Sequence, residues 1–411
     1  MTEKHGTRPP RGLRLHPFRG MRFNPVAVGD VGDVTSPPYD VMDRHMIERL
    51  LEEHPRNIVR LILPRFVDDP VRSGDPYGRA AALLERWRAR SVLLTDPEKG
   101  LYVYEYGDDT DRICGLVGVI GLRRPSDRVI LPHEGVIPEI VADRLAMMKS
   151  AKANLEPILL VYDGQGETKA ILDEARSRPP LIDVATSDGS SHRLWQVTDP
   201  TALAQIATAL SPYQALIADG HHRYATYLQY RKWRRRKGAD TGPWDRGLAL
   251  LIDQSQYPLR LAAIHRSISE VDLNRLTVPV EFVLGTTNAV DPSGPQPSAE
   301  PGSFVLTDGT SQRLVSCREA RPTAVSDAEL LHERLLPHWG ITENRIAYHH
   351  GVEQALRAAA QDSGLAILVH PIAVEEVMDV ARAGKVMPRK STSFGPKPRM
   401  GIVMAALDDQ E

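Results

Sequence analysis

Residues 216–226 read LIADGHHRYAT: an apolar run ends in Asp219-Gly220, two histidines and an arginine follow, and a helical pattern begins at once. Residue types in this order suit an anion. Gly220 permits a tight bend and a close backbone approach. The helix start turns unpaired N–H donors and the positive end of its dipole toward the bend, an effect of about 0.3–2 kcal/mol. His221, His222 and Arg223 add donors, and Arg223 can hold phosphate oxygens through two parallel hydrogen bonds. Asp219 opposes an anion by itself; it makes sense as a ligand for Mg²⁺ carried by phosphates, or as a proton acceptor. The plain alternative is a strand-to-helix connection whose polar groups cap the helix and pair locally. Zinc held by the two histidines is disfavoured, because adjacent helical residues point about 100° apart.

A second cluster, KVMPRKSTSFGPKPRMG (385–401), brings four cations, Lys385, Arg389, Lys390 and Lys397, and three hydroxyls, Ser391, Thr392 and Ser393. Pro and Gly punctuate it, so it reads as a loop, and hydroxyls with cations on a loop suit a phosphoryl group. The Walker pattern GxxxxGK[ST] is absent. LPHEGV (131–136) ends an apolar strand in His133-Glu134. Glu134 is the candidate general base, with His133 able to tune it. TSPPYDV (35–41) uses two prolines to present Tyr39 and Asp40, as substrate contacts or as a turn with Asp40 capping a helix. Arg19 and Arg22 read as surface pairs, Asp143–Arg144 as a local ion pair, and Met147 and Met148 as core. The basic run RKWRRRK (231–237) reads as the solvated end of a helix, with nucleic-acid contact the minority reading. His349, His350 and His370 read as ordinary histidines.

These groups need a scaffold. The chain has 411 residues, 42% of them hydrophobic and 25% charged, which supports a sizeable core. A net charge of −2 argues against a general nucleic-acid or membrane binder. The two cysteines, Cys114 and Cys317, make neither a disulfide framework nor a zinc cluster, and a reducing cytoplasm is the simplest setting. No apolar leader or membrane-spanning run is visible.

Helical and strand patterns alternate along the whole chain. Helices are expected over 43–53, 79–90, 141–153, 166–178, 200–210, 222–237, 327–339, 353–361 and 374–384. Strands are expected over 57–64, 91–95, 101–106, 115–123, 128–132, 157–163, 192–199, 214–218, 248–253 and 365–371, with a hairpin after residue 303. Asp43 and Asp199 are the expected N-caps. The mixture predicts an α/β to α+β fold of mixed sheets with surrounding helices. The predicted division is a loose tail over 1–13, an N-terminal α/β region over 14–198, a central region with the DGHHR turn over 199–286, a Pro/Gly/Ser-rich loop or linker over 287–303, and a C-terminal α/β region over 304–411.

Taken together, PFRGMRFNP, DVTSPPYDV, NIVRLILP, YVYEY, LPHE, DRLAMMKSAKANLEPI, ADGHHRYAT and MPRKST, in this order from residue 17 to about 400, resemble the bacterial and archaeal family of domain of unknown function 1015. This sequence departs from the family pattern at Ser393 and Gly395, where aromatic residues are usual, and GVIPEIV supplies neither the Thr nor the Lys that usually follow LPHE. A shorter resemblance links DGHHRYAT to the phosphate-contacting motif of ParB/sulfiredoxin-like proteins, among them free-serine kinases. It implies that Asp219 to Arg223 face the phosphates of a nucleotide, ATP or ADP, and its Mg²⁺.

The favoured reading is therefore a nucleotide-dependent kinase of a small hydroxylated metabolite, with free serine as the leading substrate. Gly220, His221, His222 and Arg223 would bind phosphates, Asp219 would hold Mg²⁺ or orient the hydroxyl, and Glu134 would accept the proton. Lys390, Ser391 and Thr392 would close over phosphate or carboxylate, and Tyr39, Asp40 and His133 would contact substrate. The rivals are a non-catalytic nucleotide-binding regulator, a metal-dependent phosphatase, and a scaffold protein for which the phosphate-type clusters have no evident use.

Overall fold

The computed structural model describes residues 12–67, 75–290, 299–321 and 325–410. The chain divides into two compact units. The first comprises residues up to Pro132, Val136–Leu259 and Pro396 onward; the second comprises His133–Gly135 and Arg260–Gly395.

The first unit is organised on a mixed sheet. Its strands are β1 (Leu15–His16), β2 (Leu101–Gly107), β3 (Arg112–Gly121), β4 (Ile130–Leu131), β5 (Ile158–Tyr162), β6 (Ile182–Ala185), β7 (Ser191–Val197), β8 (Ala215–Asp219) and β9 (Arg246–Asp253). The spatial order is β4-β8-β5-β9-β3-β2-β7-β6, with β1 added to β3. β8 runs parallel to β4 and antiparallel to β5, while β9 runs parallel to β5 and antiparallel to β3. The central strands are buried along their length, as their near-continuous apolar sequences require. Two helices matter for the site: α1 (Pro138–Ala151) and α2 (His221–Arg236). Tyr224, Tyr227 and Tyr230 of α2 join Met148 of α1 and Leu160, Ile217 and Ala249 of the sheet in one apolar core.

The second unit holds a separate antiparallel sheet of β10 (His265–Ile268), β11 (Phe282–Leu284), β12 (Asn288–Ala289), β13 (Ser303–Thr307), β14 (Ser311–Cys317), β15 (Ile346–His349) and β16 (Leu365–Val369). Its order is β11-β14-β13-β16-β10-β15, with β12 on β14. Phe282, Phe304, Leu331, Leu335 and Ile367 form its own core.

The architecture is the expected mixed α/β. Asp43 and Asp199 cap helices as predicted: Asp43 accepts from Met46 N–H at 2.8 Å, and Asp199 from Thr201 N–H at 2.9 Å. The strand expected over 57–64 is instead a helical turn, Val59–Ile62, followed by a 3-10 turn, Pro64–Phe66. Asn57 starts that turn. Its Oδ1 accepts from Val59 N–H at 3.0 Å, and its amide donates to the carbonyls of Asp33 and Thr35. Ile58, Val59, Leu61 and Ile62 are all buried, so the run shows no periodicity to separate strand from helix. The compact units also differ from the sequence division at 199 and 287. β8 and β9 complete the sheet begun by β3 and β5, and β10 joins a sheet with β16. Residues 1–11 of the expected tail and 291–298 of the expected linker lie outside the described residues, whereas Leu13 is buried and its N–H donates to the Tyr213 carbonyl at 3.1 Å.

Gly115 gives the sheet a close contact that no side chain permits. A Cβ there would lie 2.3 Å from Ile252 Cδ1 and 2.6 Å from the Leu251 carbonyl oxygen of the neighbouring strand. Gly115→Ala is therefore expected to destabilise the protein by about 1–3 kcal/mol through overpacking. Chemical denaturation should show a lower midpoint; an unchanged midpoint would contradict the packing described for this pair of strands.

Candidate functional site

The turn after β8 is shaped by two local departures from regularity. The β8–β5 register shifts between Ile217 and Asp219, a bulge that re-aims the Asp219 side chain. Gly220 follows in the left-handed conformation, φ 94°, which a side chain rarely adopts. A Cβ on Gly220 would also lie 2.9 Å from Arg223 Nε and 3.1 Å from Ile158. Glycine is thus required twice over. No side chain caps α2 at Gly220.

Asp219 is the hub. Its Oδ1 accepts from Lys397 Nζ at 2.8 Å, and its Oδ2 from Arg223 Nη2. Lys397 also donates to Asp40 Oδ2 at 3.0 Å. Arg223 sends its other Nη to the Pro157 carbonyl. Arg144 lies 3.8 Å from Glu156 and covers the Tyr39 ring at 5.0 Å. Two buried acids, Glu156 and Asp219, and the more exposed Asp40 thus meet three bases, Arg144, Arg223 and Lys397. Burial raises the carboxyl of Asp219, but Lys397 and then Arg223 outweigh it and hold its pKa at about 2. Burial opposes the charge on Lys397; Asp219 and Asp40 overcome it, so its pKa is raised. Burial lifts Glu156, and Arg223 and Arg144 only partly offset this. Burial drives His221 down to about 4, so it is neutral at pH 7. His222 accepts Ile137 N–H at its Nε2, 2.9 Å away, which places a ring proton on Nδ1 when the ring is neutral.

This geometry revises two expectations. Arg223 was expected to grip phosphate from the turn. It is instead 4% exposed, with both terminal nitrogens engaged by Asp219 and Pro157. It acts as an internal strut for the turn, and the cation beside it is Lys397. Asp219 was expected to ligate Mg²⁺. Each of its oxygens already faces a cationic group, so the donor set does not fit a resident divalent ion. Among the described residues no cluster of three or more His, Cys, Asp or Glu side chains could hold a metal.

A cavity of about 50 Å³ lies under the strut, with Asn154, Glu156, Arg223 and Tyr227 in its wall beside Met147 and Met148. Both amide atoms of Asn154, Glu156 Oε1 and Arg223 Nε are buried without a hydrogen-bond partner, which marks a polar pocket within the core.

The remaining predicted residues lie together in the second unit. His133 Nε2 is 2.8 Å from Thr392 Oγ1, and Glu134 Oε1 accepts from Lys390 N–H at 2.8 Å. Met387 N–H donates to the His133 carbonyl at 2.8 Å. Ser391 donates to the Pro388 carbonyl at 2.6 Å, turning its hydroxyl into the loop. Lys390 adopts the left-handed conformation, φ 57°, and its carbonyl accepts from Arg266, a buried arginine that also meets the Ile264 carbonyl, His332 and the Tyr348 ring. Of the two departures from the family pattern, Ser393 pairs with His350 at 3.0 Å. An added Cβ at Gly395 would meet open space.

Sequence reasoning brought Tyr39, Asp40, Asp219 and Arg223 into view but not the way they are joined. It missed Glu156, and it took Lys397 only as one of several loop cations. The available signal was a charge inside an apolar stretch, NLEPILL. Arg144 does pair with Asp143, at 2.6 Å, as expected.

Comparison with known proteins gives one family match. Residues 15–332 match the family described as Protein of unknown function (DUF1015). No curated protein matches. Solved structures similar to this chain include a free serine kinase in complex with AMP, at 16% identity and TM-score 0.35, covering 65% of this chain and 84% of that one. A conserved hypothetical protein from Pyrococcus furiosus shares 15% identity at TM-score 0.35, covering 69% of this chain and 94% of that one. SbnI with C-terminal truncation from Staphylococcus aureus shares 13% identity at TM-score 0.36, covering 71% and 87%. No helix among the described residues is long and apolar enough to cross a membrane.

Two predictions follow from the charges. Lys397→Met leaves Asp219 and Asp40 short of a cation and should cost about 3 kcal/mol at neutral pH, the size expected for breaking a buried pair. The depressed pKa of Asp219 means its ionised form stabilises the folded chain above about pH 3.8, and that this contribution fades toward pH 2. The gap between wild type and variant should therefore narrow as pH falls through that window; a gap constant with pH would refute the ion clamp. The second prediction concerns His16, His192, His221, His265 and His332, each held near pKa 4 by burial, against 6.5 when free. Between those values the unfolded chain binds protons that the folded chain refuses. The melting temperature should fall as pH drops from 6.5 to 4; calorimetry showing no proton uptake on unfolding in that window would disprove it.

Proposed function

We infer that this chain, which belongs to the DUF1015 family, is a nucleotide-dependent phosphotransferase acting on a small hydroxylated metabolite. The observation that carries the reading is the Asp219 clamp at the start of α2. An uncapped helix N-terminus, a glycine that lets the backbone come close, and an oriented lysine stand at one turn. In phosphoryl transfer the protein mainly positions groups and stabilises charge, and these are parts suited to that task.

In this reading ATP or ADP is the donor, and its phosphates approach the 220–222 backbone. Asp219 and Asp40 keep Lys397 charged and aimed, so that its ammonium can meet a phosphoryl oxygen. Arg223 holds Asp219 in place. His221 is neutral at pH 7 and adds no charge of its own to the turn. Mg²⁺ enters as part of the nucleotide substrate. Glu134, oriented by Lys390 N–H, remains the candidate base, with Thr392 and Ser391 on the adjoining loop and Tyr39 and His133 as substrate contacts. Free serine is the first alcohol to test. A phosphatase built on Asp219 and the histidines is disfavoured by the same clamp, because a cationic group already stands against each Asp219 oxygen.

The test is thermal stabilisation of the full chain by ATP, ADP, CTP and pyrophosphate, each with and without Mg²⁺, then phosphoryl transfer to serine and related alcohols. A true ligand at 100 times its dissociation constant should add about 2.7 kcal/mol of stability, while Mg²⁺ alone should add none. Asp219→Asn and Glu134→Gln should each lower turnover by at least about 100-fold. Nucleotide binding without turnover on any alcohol would favour a regulator instead. Stabilisation by none of the four compounds would overturn the proposal.

A further inference from the structure

The other end of α2 carries a second feature that the clamp does not explain. A cavity of about 990 Å³ opens there, at the edge of the large sheet. Five guanidinium groups line it: Arg14, Arg123, Arg231, Arg235 and Arg246. They come from separate places in the sequence: the residue before β1, the segment after β3, two turns of α2, and the first residue of β9. Asp245 is the one carboxylate among the lining residues, and it is paired with Arg235 at 2.9 Å. Arg231 donates to the Leu122 carbonyl at 2.8 Å. Arg14 and Arg246 form no ion pair among the described residues. In a chain of net charge −2, this is a local surplus of positive charge rather than a consequence of composition.

His16 registers the surplus. Burial lowers its pKa first, and Arg246, Arg14 and Arg123 lower it further, to about 4. Gathering like charges destabilises the folded state unless something offsets them. The lining holds one carboxylate against five guanidinium groups, and a bound anion would offset the difference.

We propose that this cavity is a binding site for a small oligophosphate, a molecule with two or more linked phosphoryl groups. Guanidinium groups pair with phosphate oxygens through parallel hydrogen bonds. The cavity volume lies in the range of small-molecule sites, about 300–1,000 Å³, and a concavity of that size suits a compact polyanion better than a nucleic-acid strand. The aromatic group at the site is already engaged: Trp244 donates its N–H to the Asp240 carbonyl at 3.1 Å, and Arg234 covers its ring at 3.9 Å. The site therefore reads phosphate charge and not a base. It is distinct from the 219–223 turn. The 16 residues of α2 extend about 24 Å at 1.5 Å each, with His221 at one end and Arg231 and Arg235 in the final third.

The experiment titrates the full-length protein with inorganic tripolyphosphate, without Mg²⁺, and follows the ring signals of His16 by NMR, assigned with His16→Gln. Binding should saturate and raise the His16 pKa by about one unit or more, because an anion relieves the repulsion that lowers it. ATP should bind within about threefold of tripolyphosphate, given a site that ignores the base. The double variant Arg14→Ala/Arg246→Ala should weaken binding at least about tenfold; should it melt early, Arg14→Gln alone, at an exposed position, carries the comparison. Asp219→Asn should leave the His16 response intact, which separates this site from the phosphotransferase reading. A His16 signal unmoved by tripolyphosphate, or binding unchanged in the arginine variants, would overturn the proposal. So would a response to single-stranded DNA but not to tripolyphosphate.

Discussion

The first unit turns on one buried carboxylate. Asp219 sits at the end of a central strand with a guanidinium on one oxygen and an ammonium on the other. Removing a carboxylate from water is unfavourable by several kcal/mol, and only well-placed partners recover it. Here the partners are drawn from distant parts of the chain: Arg223 four residues on, and Lys397 at 178 residues' separation. Lys397 in turn reaches Asp40, 357 residues away. The buried carboxylate is thus balanced by cations on both of its oxygens.

That arrangement explains why the last sixteen residues belong to the first unit although the second unit precedes them in sequence. The segment after Pro396 is stitched in by backbone as well as by charge. Met400 exchanges hydrogen bonds with Ser36, Met404 with Met21, and Ala405 pairs with Asn154. Arg399 reaches the Thr35 hydroxyl at 2.9 Å and Asp188 at 2.9 Å. Lys397 is thereby fixed by its neighbours on both sides, and its ammonium approaches Asp219 from an anchored strand of chain rather than from a free tail.

A single helix then separates two kinds of electrostatics. At its start, positive groups are matched by carboxylates, and His221 is neutral at pH 7. Toward its end, guanidinium groups gather with a single carboxylate among them. The basic run 231–237, read from sequence as one solvated patch, divides between these roles. Trp233 packs against the core with Lys149 over its ring at 5.1 Å, Arg234 covers Trp244, and Arg231 and Arg235 turn to the cavity.

Much was legible in the residues alone. Periodicity and end signals placed the long helices and the long strands of the first sheet, because amphipathic spacing and caps such as Asp43 and Asp199 act within a few residues of chain; the short strands β1, β6, β10, β11, β12 and β15 gave no such signal. The ADGHHR turn was legible for the same reason: glycine, strand end and helix start are local facts. The run NIVRLILP was not, since a segment buried on every side carries no period, and Asn57 chose the helical turn through carbonyls more than twenty residues away. Nor could spacing show that Arg223 would point inward to Asp219 and Pro157, or that Lys397 would stand where a metal was expected. Those outcomes depend on which charges the fold brings into contact and how much water it removes from them, and only the tertiary structure sets either one.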